Sequence, residues 1–169
     1  MTGRIVSIHI ATAAEAPTKP VREAHAVAGR GLEGDRYCIE TGTYSRKAGP
    51  DRELTLIEEE ALAALGRDHN VTLSGDEARR NLVTRGVALN HLVGREFLIG
   101  EVRARGIRLC EPCDHLAKLT GKNVVAGLVH RSGLRAQVLT SGMIRVGDPV
   151  QGGSEPSEAV SEDLLSGGH

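Results

Sequence analysis

The strongest constraint on the fold is a succession of short, β-branched or alternating runs with almost nothing helical between them. Residues 4–10, 21–27, 53–57, 81–83, 96–99, 102–109, 134–139 and 143–146 each have the length and patterning of a strand. In the first, Arg4-Ile5-Val6-Ser7-Ile8-His9-Ile10, the alternation predicts a strand whose odd-numbered apolar residues face a core. Helical patterning is confined to residues 58–65, with acids in the first turn and Leu62 and Leu65 three apart, and to short turns at 89–93 and 114–119. Regular strand–helix alternation is missing, so the expectation is a mainly β, β-rich α+β chain. A barrel or barrel-like sheet with a few short helices fits it better than βαβ layers.

The 169 residues suit one domain, predicted over residues 1–150, followed by an acidic tail at 151–169 that is expected to be disordered. The tail carries Glu155, Glu158, Glu162 and Asp163 and no Lys or Arg, so the body is mildly basic although the whole chain has net charge -1. That balance suits a small anion better than duplex nucleic acid. Aromatic residues are only 2%, with Tyr37, Tyr44 and Phe97 the full set, leaving little to stack on bases. Three cysteines are too few for a secreted disulfide scaffold, residues 1–10 lack a leader pattern, and no apolar run is long enough to span a bilayer. A cytoplasmic protein without nucleic-acid or membrane partners is expected.

Three groups of residues could carry chemistry. The glycine-rich Gly29–Gly34 stretch, Asp35-Arg36 and residues 40–51 form a loop of about twenty residues, long enough in a compact domain to suggest a site. Asp35 and Asp51 each adjoin an arginine and are expected to stabilise that loop. The second group is Cys110-Glu111-Pro112-Cys113. A zinc site would need two more ligands, and His115 or Cys38 do not reproduce the usual paired spacing. Haem attachment requires His directly after the second Cys, where Asp114 stands. Thiol–disulfide exchange is chemically reasonable, but no thioredoxin-like βαβ pattern surrounds the pair. Cys110, ending an alternating strand, is expected to be a buried hydrophobe; Cys113, beyond Pro112, is the candidate functional thiolate. It could attack an electrophile, accept sulfur or bind a soft metal, and residue type alone does not choose. The third group is cationic. Arg79, Arg80 and Arg85 flank Asn81, and His130, Arg131 and Arg135 cluster near the C-terminal strands, a composition suited to anions. His9, His25, His69 and His91 have no ligand-like spacing and are expected to be structural or on the surface.

Taken in order, Gly31-Leu32-Glu33-Gly34-Asp35-Arg36, Gly49-Pro50-Asp51-Arg52-Glu53-Leu54, Arg80-Asn81-Leu82, Cys110-Glu111-Pro112-Cys113 and Gly147-Asp148 resemble the MOSC family, named for the C-terminal domain of molybdenum cofactor sulfurases. The similarity runs over residues 4–150 and is that of a standalone bacterial-type member. It implies a MOSC-like β-barrel holding the molybdenum cofactor (molybdopterin), with Cys113 as the molybdenum or sulfur ligand and catalytic residue. Arg36, Arg80, Asn81, His130, Arg131 and Arg135 would bind the cofactor. Two activities are implied: reduction of N-hydroxylated compounds, with an electron-donor protein, or handling of cofactor sulfur, with a cysteine desulfurase, since this chain has no pyridoxal-phosphate domain. A small-molecule substrate goes with the first. A non-catalytic carrier of cofactor or sulfur and a small thiol–disulfide oxidoreductase using Cys110 and Cys113 are the other readings. Cys110 is not required by the family motif and leaves a Cys110–Cys113 disulfide open.

Overall fold

A computed structural model describes residues 2–13, 16–36, 38, 53–110 and 133–152. Eleven strands are present among them: β1 (Thr2–Ile10), β2 (Lys19–Val21), β3 (Glu23–Val27), β4 (Gly31–Leu32), β5 (Leu54–Glu58), β6 (Leu82–Arg85), β7 (Glu96–Ile99), β8 (Val102–Leu109), β9 (Leu134–Val138), β10 (Gly142–Arg145) and β11 (Pro149–Gly152). The two helices are α1 (Glu59–His69) and α2 (Gly75–Ala78), and a 3-10 turn covers Leu89–Leu92. One sheet runs β11-β7-β8-β9-β5-β6-β1-β2, and β11 also pairs with β1. Seven strands thereby close into a barrel, with β2 added outside the ring. Closure leaves no free edge on the ring itself. A smaller sheet, β10-β3-β4, completes the strands.

The barrel is filled from its strands' inner faces by Ile5, Ile8, Leu54, Leu56, Leu82, Phe97, Ile99, Val102, Ala104, Leu134, Ala136 and Val138. Leu89 and Leu92 from the 3-10 turn join the same core. A second apolar cluster lies on the outer face, where Ala61 and Leu65 of α1 pack on Ile57, Leu73, Ala78 and Val83. α1 carries Glu59 and Glu60 in its first turn and Arg67 and His69 in its last, both favourable to the helix dipole, and ends on Asn70 in the left-handed region. α2 is a single turn fixed by a capping box between Ser74 and Glu77. Because β5 and β6 are parallel, β5, the two helices and β6 make one crossover unit, the one such unit among the described residues.

The alternation in β1 needs correction. The register against β6 pairs Ile5 with Thr84 but Ser7 with Val83, so a bulge sits between Ile5 and Ser7. A bulge inserts one residue and reverses the facing of the rest of the strand. Ile5 and Ile8, not every odd position, face the core, and His9 faces outward while still buried. The expected strand at 21–27 breaks at Arg22 into β2 and β3, and α1 runs four residues past the expected 65. The last strand includes Gln151 and Gly152, which pair with Leu98 and Phe97. The turn expected at 114–119 lies outside the described residues.

Candidate functional site

The site grows from one buried amide. Asn81, directly before β6, is fully buried. Its Oδ1 accepts from the backbone N–H of Thr55 at 3.0 Å and from the Thr55 hydroxyl at 3.2 Å. Its own N–H donates to Thr55 Oγ1 at 3.0 Å, and its Nδ2 donates to the carbonyl of His9 at 3.3 Å. The carbonyl of Asn81 in turn accepts from the N–H of His9 at 2.7 Å. One side chain thus ties β5 to the end of β1 beside the start of β6. On β9, Arg135 lies directly across from Thr55, on the outer face because Leu134 and Ala136 point inward.

Three arginines are buried around this amide, with Arg36 5% exposed and Arg79 and Arg80 each 9% exposed. Arg36 Nη1 pairs with the fully buried Asp35 carboxylate at 3.2 Å, and Arg36 Nη2 donates to the carbonyl of Arg79 at 3.1 Å. Asp35 Oδ1 also accepts the N–H of Ala11 at 2.9 Å. Arg79 Nη1 donates to the carbonyl of Ala16 at 2.7 Å, and Arg80 Nη1 reaches the carbonyl of Ala78 at 3.4 Å. The Asp35–Arg36 neighbours therefore form the loop pair expected of them. Chain positions distant in sequence, Ala11, Ala16, residues 35–36 and residues 79–81, meet here. Guanidinium groups are costly to bury without acceptors, and their planar forks match phosphate and carboxylate.

Of the cofactor-binding residues expected from sequence, Arg36, Arg80 and Asn81 meet at this point, and Arg135 stands next to it on the same outer face. Cys113, His130 and Arg131 lie outside the described residues. Cys110 is 1% exposed, in keeping with a buried hydrophobe, and its N–H donates to the carbonyl of Gly133 at 2.7 Å, joining the two ends of the segment that contains Cys113. Cys38 is also buried, and burial pushes its thiol up, against the opposing pull of Arg30. No group of three or more His, Cys, Asp or Glu suited to a metal ion occurs among the described residues. Arg79 and Thr55 join the site as well. In the sequence Arg79 is only one more cation, and nothing local to Thr55 indicates that Asn81, 26 residues away, is its partner.

A buried carboxyl lies at the entrance to β5. Glu53 Oε1 accepts the N–H of Val138 at 2.9 Å, and burial raises its affinity for a proton, partly offset by that bond. A carboxyl whose folded value exceeds its unfolded one binds more protons when folded, so stability falls as pH rises above the ordinary value near 4.5. Glu53→Gln keeps an oxygen for Val138 and removes the charge. Chemical denaturation followed between about pH 4 and pH 8 is expected to show a flatter profile for the variant, with its gain over wild type confined to the upper end. An unchanged pH slope would remove Glu53 as its source.

Comparison with known proteins extends these observations. No curated protein matches the chain. No helix among the described residues is long and apolar enough to cross a membrane. Its fold is similar to the crystal structure of YUAD from Bacillus subtilis, with TM-score 0.75 and 15% identity over 89% of this chain and 94% of that one. YiiM from Geobacillus stearothermophilus is similar at TM-score 0.69 and 15% identity, over 90% of this chain and 75% of its own. For YiiM from Escherichia coli the values are 0.65 and 20%, over 90% and 70%. The MOSC domain model matches residues 43–151, well over half of the sequence and most of the barrel just described, and on that match the chain belongs to the MOSC domain family.

Proposed function

We propose that this protein binds the molybdenum cofactor, with Cys113 as the thiolate ligand to molybdenum or sulfur and the arginines around Asn81 as the seat of the cofactor's phosphate. The observation that carries the reading is the convergence of Arg36, Arg79 and Arg80, all largely buried, where the chain before β5 meets the chain before β6. The donor set fits: guanidinium forks suit a phosphate, and a thiolate suits a soft metal. Arg135 would add a further cation from β9, with His130 and Arg131 from the segment preceding it. Asn81 would serve by fixing the strands that carry these groups, since its amide is engaged by Thr55 and His9.

When bound, the cofactor supplies a two-electron centre able to take oxygen from N-hydroxylated small molecules. The chain's own residues would hold its phosphate through the arginines around Asn81 and present the Cys113 thiolate. An electron-donor protein is then the required partner in a cytoplasmic setting; a cysteine desulfurase takes that place if the protein handles cofactor sulfur. A thiol–disulfide exchanger built on Cys110 and Cys113 is the alternative reading, in which the buried Cys110 would be the resolving thiol and Cys113 the attacking one.

The test is the molybdenum-to-protein ratio, by elemental mass spectrometry, of wild type and Cys113→Ala purified from a host that makes the cofactor. Near-stoichiometric metal in the wild type, falling roughly tenfold or more in the variant, is expected. Equal metal in both would remove Cys113 as the ligand, and a metal-free wild type from a host verified to supply cofactor would overturn the reading. A loaded protein that turns over hydroxylamine compounds with reduced dye is a reductase, whereas loading without turnover marks a carrier.

A further inference from the structure

The β1 bulge assembles a second constellation that the cofactor reading does not use. By reversing the strand's facing it places Ser7 and His9 on the same outer face, where α2 covers them. Ser7 Oγ lies 2.8 Å from His9 Nε2, and His9 Nδ1 lies 2.7 Å from Asp76 Oδ1. The His9 side chain is 5% exposed, Ser7 is half-buried, and the Asp76 side chain is 49% exposed. The Asp76 carboxylate, accepting at Nδ1, selects the tautomer with the proton there and leaves the Nε2 lone pair facing the Ser7 hydroxyl. Two further contacts hold the arrangement. The Thr18 hydroxyl donates to the Asp76 carbonyl at 2.7 Å, anchoring α2. Gly75 packs so close that a Cβ there would lie 2.8 Å from His9 Nε2, so only glycine leaves room for the Ser7–His9 bond.

We propose that Ser7, His9 and Asp76 form an acyl-transfer site, with Ser7 the nucleophile, His9 its general base and Asp76 a positioning residue, acting on carboxylic esters with a small acyl group. The order of contacts, hydroxyl to imidazole to carboxylate, is that of serine hydrolases, which is defined by geometry and not by sequence position. The acyl group must be small because Ser7 is only partly exposed beneath Gly75. In the first step Ser7 Oγ bonds to the acyl carbon and its proton passes to His9 Nε2. The bond to the leaving alkoxide breaks, and the alkoxide takes that proton and departs as the alcohol. Water then attacks the acyl carbon and gives a proton to His9 while the bond to Oγ breaks, and His9 returns the proton to Ser7. Ester and water yield acid and alcohol, with nothing oxidised or reduced.

The experiment is labelling of the full chain with a fluorophosphonate, which forms an Oγ–phosphorus bond as fluoride leaves, followed by intact-mass analysis and peptide mapping. One adduct per chain on Ser7 is expected in wild type and none in Ser7→Ala. Asp76→Asn should slow labelling about a hundredfold or more at unchanged circular dichroism, and Asp76→Glu should recover part of the rate. No adduct on folded wild type, an adduct elsewhere, or equal rates in wild type and Asp76→Asn would overturn the proposal. Ser7→Ala, a change of one hydroxyl, tests it even if the Asp76 variants fail to fold. Its molybdenum content should match wild type, which separates this site from the cofactor reading.

Discussion

Asn81→Ala is expected to lower the stability of the cofactor-free protein by about 3–5 kcal/mol, among the largest effects of any single polar truncation in the barrel. The substitution removes no hydrophobic packing. Its cost comes from what it strands: the backbone N–H of Thr55 and the carbonyl of His9 lose their partner in a site that is fully buried. Each such group costs about 1–3 kcal/mol when left unsatisfied away from water. Asn81→Asp should rescue only the Thr55 side, because a carboxylate can accept but has no donor for the His9 carbonyl, and it adds a buried charge. In a chain of this size the alanine variant should melt about 10 °C or more below wild type. Thr55→Val in the same background should add less than it costs alone, since both residues act in one network. The measurement also separates two roles for Asn81. A residue that only touched the cofactor would leave the cofactor-free melting point in place and reduce metal content; the bonding to Thr55 and His9 leads us to expect the reverse order, with stability lost first.

The legible part of this fold is the part governed by a single buried face. β7 and β8 match the sequence reading residue for residue at Glu96–Ile99 and Val102–Leu109, because Phe97, Ile99, Val102 and Ala104 alternate toward one core. β1 is legible as a strand and misleading in its facing, since a bulge leaves no mark in a run such as Ile5-Val6-Ser7-Ile8 where both faces carry apolar residues. β4 and α2 are too short to impose a period, and β11 is recognisable only once its partners β1 and β7 are known. The site divides in the same way. Asp35-Arg36 is readable because the partners are neighbours, and Cys110 because it continues an alternating strand into the core. The pairing of Asn81 with Thr55 and of His9 with Asp76 is not, for the partners are 26 and 67 residues apart and nothing in either neighbourhood encodes the other. Spacing among the histidines says nothing about His9, whose partners are a serine two residues back and a carboxylate brought in by α2. Arrangements of that kind exist only after closure of the barrel.

Gly133→Ala is expected to abolish accumulation of folded protein, or to cost about 4 kcal/mol or more where some folds. Gly133 has φ 108°, outside the range an L side chain adopts readily, and an added Cβ would fall inside the carbonyl oxygen of Leu56. That carbonyl belongs to β5 at the point where it pairs with β9, so neither partner can yield without opening the Leu56–Leu134 register. Gly147→Ala is the matched control: φ is 95°, but nothing stands within 4 Å of the added carbon. It should cost only the backbone strain, about 1–2 kcal/mol. The difference between the two variants, read as denaturation midpoints, measures the close approach of β9 to β5 apart from glycine's conformational freedom. Equal losses would show that strand approach at Gly133 is not what excludes a side chain. The position matters beyond stability. Gly133 is where the chain returns to the barrel from the segment bearing Cys113, and its carbonyl holds the N–H of Cys110 at the segment's other end. Any Gly133→Ala protein that does fold must shift that carbonyl to relieve the clash, so its molybdenum content should fall further than that of Gly147→Ala even after correction for the folded fraction.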